Sequence, residues 1–164
     1  MKTLFLLRHA KSSWKDDNLL DDHDRPLNGR GRDEAPLVGE YMRQRGFTPA
    51  FVAVSTARRA IQTAAETLSG IRYGGLVRTS QDLYLADAAV LFSFIAKIPK
   101  QYPSLLVIAH NPGLEQLIEQ LTGQAVPMPT SCLAHIELSI EAWREIAPDQ
   151  SASLISVWRP ATRR

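Results

Sequence analysis

Apolar positions fall in short runs, set between longer stretches whose apolar residues recur with helical spacing. Residues 3–7 (TLFLL) form a run that ends in Arg8-His9, the pattern of a buried strand delivering polar side chains at its tip. Residues 51–55 (FVAVS) repeat the pattern, 104–109 (SLLVIA) give it most clearly, and 76–79 give it weakly after the Gly74-Gly75 turn. Two late strands are predicted at 133–139 and 153–158. Between the strands the spacing predicts helices. The first is capped by Asn28 and runs to about Arg45 with Gly46 as its C′ residue. Pro36 lies inside that span and is expected to kink the helix or delay its start to near Asp33. Further helices are predicted at 57–68, at 88–98 behind an Asp87 cap and ahead of Pro99, and at 113–121. Residues 11–26 are polar and aspartate-rich, and read as a loop.

Strands alternating with helices indicate an α/β fold with a single, mostly parallel sheet sandwiched by helices. The two closely spaced final strands are placed as an antiparallel edge. No repeat or linker divides the chain, so 1–164 is expected to form one domain, with Arg163 and Arg164 as a frayed tail. Hydrophobic residues at 45% and charged residues at 22% suit a folded soluble protein. No apolar run approaches a membrane span, and Arg8 interrupts the N-terminal run before it reaches signal-peptide length. A single cysteine, Cys132, excludes an internal disulfide framework and fits a reducing compartment, so a cytoplasmic location is expected. The formal charge of +2 is too small, and the basic residues too scattered, to point to nucleic acid.

Chemistry enters at the strand ends. The first strand delivers Arg8-His9, the second opens the stretch from Ser55 to Arg59, and the fourth delivers His110. Ligands of open α/β sheets bind outside the carboxyl ends of strands, so these groups are expected to converge. Paired histidines among arginines suit phosphoryl transfer: guanidinium forks neutralise equatorial oxygens, and neutral imidazole is a competent nucleophile near pH 7. The arginines are expected to depress the pKa of His9. Each residue taken singly has a plainer reading, His110 as turn chemistry and Ser55 as the cap of the following helix, which it is expected to be in any case, and their coincidence at strand ends outweighs the plainer reading of the group. His23 and His135 lack ligand-spaced partners, and no zinc pattern is present. Asp16, Asp17, Asp21, Asp22 and Asp24 read as a solvated loop without a calcium pattern, able at most to shape substrate access. Trp14, Trp143 and Trp158 are expected to pack, with Trp14 near enough to the catalytic loop to border the pocket. Cys132 is expected to be a small buried hydrophobe.

The segments LFLLRHAKSSW, VSTARRAIQTA and VIAHNPGLEQL resemble, in order, the signature blocks of the histidine phosphatase superfamily, whose fold is the phosphoglycerate mutase-like one. The stretch DHDRPLNGRGRDEA resembles the version found in SixA-type phosphohistidine phosphatases. The resemblance implies that His9 is the nucleophile, that Arg8, Arg25 and Arg59 bind phosphate, and that His110 steadies the transferring group. Arg58 falls at a variable position and is expected at the surface. Ala10 replaces the usual glycine after the histidine. No equivalent is found for the glutamate that serves as general acid in mutase-like members, since Asp82 and Asp87 sit in no matching motif. The implied reaction is phosphate hydrolysis through a phosphohistidine intermediate. It needs no metal or organic cofactor, because arginines supply the positive charge. The implied partner is a phosphohistidine-bearing signalling protein. The alternatives are a small-molecule phosphomonoesterase on the same core and a catalytically silent module that binds phosphorylated proteins.

Overall fold

The computed structural model describes residues 1–15 and 19–161; Asp16 and Asp17 of the acidic loop, and Arg163 and Arg164 of the tail, lie outside the described residues. The strands are β1 (Lys2–Arg8), β2 (Phe51–Ser55), β3 (Leu76–Ser80), β4 (Ser104–Ala109), β5 (Leu133–Leu138) and β6 (Ser153–Trp158). The helices are α1 (Gly29–Gln44), α2 (Arg58–Ile71), α3 (Ala88–Ala96) and α4 (Gly113–Thr122). All strands join one sheet in the order β3-β2-β4-β1-β5-β6. The first four in that order pair in parallel, and β5 and β6 add an antiparallel edge, as the late-strand spacing predicts. No helix of the described residues is long and apolar enough to cross a membrane.

Side-chain alternation along the central strands builds two cores. Leu4 and Leu6 of β1 face one side with Leu91, Ile95, Leu114 and Leu117, so α3 and α4 cover that face. Phe5 and Leu7 face the other side with Val38, Met42, Ala60 and Ala64, so α1 and α2 cover it. Burial on both faces explains why β1, β2 and β4 read as continuous apolar runs. The chain leaves β1 through α1 and passes β4 to reach β2. It leaves β4 through α4 and passes β1 to reach β5. The β1–β4 boundary is therefore the topological switch point, where a crevice opens at the strands' carboxyl ends.

Helix α1 differs from one expectation. It starts at Gly29, with the Asn28 side chain accepting from the Gly31 N–H (2.9 Å), and runs on past Pro36. Pro36 therefore does not delay the start, because the cap and the buried stripe Ala35, Val38 and Met42 hold both halves in place. The third helix ends at Ala96, short of the predicted boundary, while Asp87 caps it as expected by accepting from the Val90 N–H.

Helices α1 and α2 approach closely through Gly39. A Cβ there would lie 2.2 Å from the Thr67 carbonyl oxygen, a backbone atom that cannot move aside alone. Gly39→Ala is therefore expected to destabilise the protein by about 1–3 kcal/mol through overpacking, despite the better helix propensity of alanine. A urea titration should show a lower midpoint with an unchanged slope; an unchanged or higher midpoint would contradict the close packing.

Candidate active site

The register of β1 against β4 sets Arg8 opposite Ala109, so His9 and His110 follow side by side at the switch point. Their rings stand 5.1 Å apart between centroids, and the His9 amide donates to the Ala109 carbonyl (3.3 Å). His9 Nδ1 lies 2.8 Å from the Ala10 carbonyl oxygen, an acceptor that assigns the ring proton to Nδ1. The lone pair is then on Nε2, which faces the Arg59 Nε–H at 3.4 Å. His110 Nε2 lies 2.7 Å from the Ser55 hydroxyl oxygen, and its Nδ1 lies 3.5 Å from Arg59 Nη2.

Arg59 comes from the first turn of α2 and is buried, whereas Arg58 is exposed. That turn is stitched to the catalytic loop: the Thr63 hydroxyl donates to the Arg59 carbonyl (2.7 Å) and accepts from the Ala10 N–H (2.9 Å). Gln62 extends the seam by accepting from the Leu27 N–H (2.8 Å). Ser55 does not cap α2, whose N-cap is Ala57 without a side-chain bond. Its hydroxyl accepts from the Ala57 N–H (3.2 Å) and meets His110 instead, because β2 ends one turn before the helix begins. Arg8 donates through Nη1 to the Met128 carbonyl (3.1 Å), while its Nε is buried without a partner among the described residues. An incoming oxygen can satisfy that orphaned donor. The Met128 carbonyl also accepts from Asn111, and Glu115 accepts from Asn111 and from the Met128 N–H. The sequence carried no signal for these supports.

Arg25 joins the group from the loop. Its Nη1 donates to the Ser12 hydroxyl (2.8 Å) and the Ser13 carbonyl (3.2 Å), and its guanidinium lies 3.5 Å from the centroid of the Trp14 ring. Its Nε and Nη2 donate to Asp22 Oδ1 (3.1 and 2.9 Å). Asp22 Oδ2 accepts from Arg59 Nη2 (3.0 Å) and from the Tyr84 hydroxyl, and the Asp22 carbonyl accepts from Arg59 Nη1 (2.7 Å). Asp22 is thus not part of a merely solvated loop. The signal available in the sequence was its place three residues before Arg25, which in the observed 3-10 turn Asp22–Asp24 brings the two together. Five loop aspartates without a turn assignment could not single it out.

A pocket of about 250 Å³ is bounded by Arg8, His9, Arg25, Arg59 and His110, and also by Trp14 and Leu85, both exposed. Trp14 therefore borders the pocket as expected, whereas Trp143 is buried and Trp158 stacks on Tyr41 (4.0 Å). His23 lies 2.8 Å from the Thr56 hydroxyl and stands edge-on to Tyr84, outside this group. His135 pairs with Glu137. Cys132 is buried, and burial pushes its thiol up to about 11, far from a reactive thiolate.

Burial is the main force on the histidines, ahead of the arginines. It lowers His9 to about 4, opposed by the Ala10 carbonyl and reinforced by Arg59, Arg8 and Arg25. It lowers His110 to about 3, reinforced by His9 and Arg59. Both rings are neutral at physiological pH. For Asp22, burial opposes ionisation, but hydrogen bonds from Tyr84, Arg25 and Arg59 outweigh it and hold the carboxyl far below its usual range. The site at rest therefore contains three guanidinium groups, one carboxylate and an unprotonated nucleophile.

The profile of the histidine phosphatase superfamily (branch 1) matches residues 4–83. An uncharacterized protein of Mycobacterium tuberculosis is 33% identical over 157 residues, spanning 89% of this chain and 95% of its own length. Among solved structures, a candidate phosphohistidine phosphatase SixA from Nakamurella multipartitia matches with a TM-score of 0.85 at 25% identity, covering 98% of this chain and 97% of that one. A candidate SixA from Agrobacterium tumefaciens matches at 0.82 and 28% identity, covering 97% of this chain and 98% of that one.

The depressed histidines link stability to pH. Between pH 6.5, their ordinary pKa, and about pH 4, an unfolded chain binds protons that folded His9 and His110 refuse. Protons then favour the unfolded state, so stability falls as pH falls through this window and the slope vanishes above it for these groups. Urea midpoints measured from pH 7 to pH 4 should fall less steeply in His9→Ala than in the unsubstituted protein. Equal slopes would show that His9 is not held neutral by burial.

Proposed function

The chain belongs to the histidine phosphatase superfamily and is a phosphatase, and from that premise we propose that it is a protein phosphohistidine phosphatase with His9 as nucleophile. The observation that carries the reading is the His9 ring, its Nδ1 proton assigned to the Ala10 carbonyl and its Nε2 aimed into a cluster of cations beside a second neutral histidine. A buried, neutral imidazole with a free lone pair suits attack on phosphorus, and it is neutral throughout the physiological range.

In this reading Nε2 attacks phosphorus in line, the bond to the leaving group breaks on the far side, and the phosphoryl group rests on His9. Arg8, Arg25, Arg59 and His110 hold the phosphoryl oxygens and stabilise charge as it spreads over them. Water then attacks phosphorus, the P–N bond breaks, and its electron pair returns to Nε2. His110 offers either a donor or an acceptor to the pocket, because the Ser55 hydroxyl can reverse its own role at Nε2.

Two features favour phosphohistidine as substrate. The likeness to the SixA-named structures extends over nearly the whole chain. The pocket is small and flanked by the exposed side chains of Trp14 and Leu85, which leaves room for a planar side chain presented by another protein. Imidazole is also an undemanding leaving group, since its second ring nitrogen can carry the proton that makes it depart neutral. A signalling phosphoprotein of a reducing compartment is the partner this implies, in keeping with the free, buried Cys132.

Phosphate release should be measured from a phosphohistidine protein and from an aryl phosphate, for the unsubstituted enzyme and His9→Ala. Turnover of the phosphohistidine protein that disappears in the variant is expected. Turnover of the aryl phosphate alone would move the substrate to small molecules. Activity unchanged in His9→Ala would remove the nucleophile, and no activity in either protein would leave a phosphoprotein-binding module. Arg59→Ala is expected to lower kcat about 100- to 1,000-fold, the usual effect of deleting one transition-state donor; a loss below tenfold would contradict its placement on the phosphoryl group.

A further inference from the structure

A phosphate ester of an ordinary alcohol needs a proton at the departing oxygen as the P–O bond breaks. The two carboxylates that follow β3 in the chain do not supply it. Asp87 is engaged as the cap of α3, and Asp82 lines a separate groove between β3 and α3. Among the described residues that bound the catalytic pocket, the carboxylate is Asp22.

We propose that Asp22 is the proton carrier of the reaction: the arriving phosphoryl group takes its place on Arg25 and Arg59, and the displaced carboxyl protonates the leaving oxygen. Three geometric facts lead there. First, Asp22 holds the donors a phosphoryl group needs. Arg25 Nη1 is committed to Ser12 and Ser13, so the arginine can turn to phosphate only through the Nε and Nη2 side that Asp22 occupies, and Arg59 Nη2 is held likewise. Second, displacement cannot carry the residue away. The Asp22 carbonyl stays bonded to Arg59 Nη1 (2.7 Å) and to the Arg25 N–H (3.2 Å), while the side chain, 41% exposed, has room to turn. Third, the Tyr84 hydroxyl donates to Oδ2, and the Tyr84 ring stands edge-on to His110 at 5.5 Å, so the carboxyl is steered along the rim rather than into solvent.

The chemistry balances. Beside a phosphoryl dianion and without its arginine donors, the carboxylate regains proton affinity and takes one proton from solvent. His9 Nε2 bonds to phosphorus, the P–O bond breaks with its electrons on oxygen, and the Asp22 proton moves to that oxygen to give the alcohol. Water then bonds to phosphorus and gives a proton to the Asp22 carboxylate as the P–N bond breaks. Release of inorganic phosphate and of that proton returns Asp22 to the arginines. The same resting ion pair competes with product, which favours its departure.

The inference rests on His9 as nucleophile and not on the identity of the substrate, and His9→Ala tests that nucleophile separately. The experiment is kcat/KM for 4-nitrophenyl phosphate, whose phenolate leaves without a proton, against phenyl and ethyl phosphate, whose leaving oxygens need one. The unsubstituted enzyme should depend weakly on leaving-group acidity, a reading that requires no variant. Asp22→Asn should lose about 100-fold more on ethyl phosphate than on 4-nitrophenyl phosphate, the usual effect of a general acid, whatever the shift common to both. Asp22→Glu should recover part of the ethyl phosphate rate. A steep leaving-group dependence in the unsubstituted enzyme would overturn the proposal. So would a change of equal size on all substrates in Asp22→Asn: a uniform loss makes Asp22 a positioning residue for the arginines, and a uniform gain makes it a competitor of phosphate only.

Discussion

The site depends on the pairing of β1 with β4. These neighbours run parallel, with Arg8 opposite Ala109, and their onward connections depart in opposite directions across the sheet. The two histidines that follow are therefore neighbours without any bond between their side chains. A slip of one residue would turn Leu4 and Leu6 toward the wrong core and move His9 away from His110. The apolar alternation that holds each strand in its layer is the same feature that sets the distance between the nucleophile and its companion.

Around that pair, opposing charges are kept in reach of each other without full exposure to water. Arg59 and Arg25 are nearly buried, yet neither is left with an unpaired charge, because Asp22 spans them. Removing water keeps His9 and His110 neutral, and the same dry surroundings strengthen every guanidinium contact a phosphoryl group will make. The loop carrying Arg25 is kept on the helix that carries Arg59 by Gln62 and Thr63, residues whose part is to join two segments rather than to touch a substrate. Electrostatics and packing are one design here: a loosened α2 would lose both the cation and the seam that holds the catalytic loop.

Much of this was legible in the chain. The strand boundaries at β2, β4 and β6 and the caps Asn28 and Asp87 follow from apolar runs, from side chains that accept backbone hydrogen bonds, and from chain direction, all local properties. The gathering of Arg8, His9, Arg59 and His110 also followed, because strand ends in such sheets open on one edge. Where local reading failed, a contact from a distant segment had intervened. Ser55 was expected on its own helix and instead meets His110, which lies 55 residues away.

Asp22 marks the boundary most sharply. The sequence by itself determined the layered α/β fold, the strand-end residues and the family pattern, because periodicity, caps and motif order are written along the chain. Which aspartate of the loop enters the pocket, which way the His9 imidazole is protonated, and which carboxylate Arg25 and Arg59 face were decided only by tertiary structure. Those outcomes depend on burial and on donors brought in by β2, α2 and the Tyr84 segment, and a residue's own neighbours in sequence do not specify what will be folded against it.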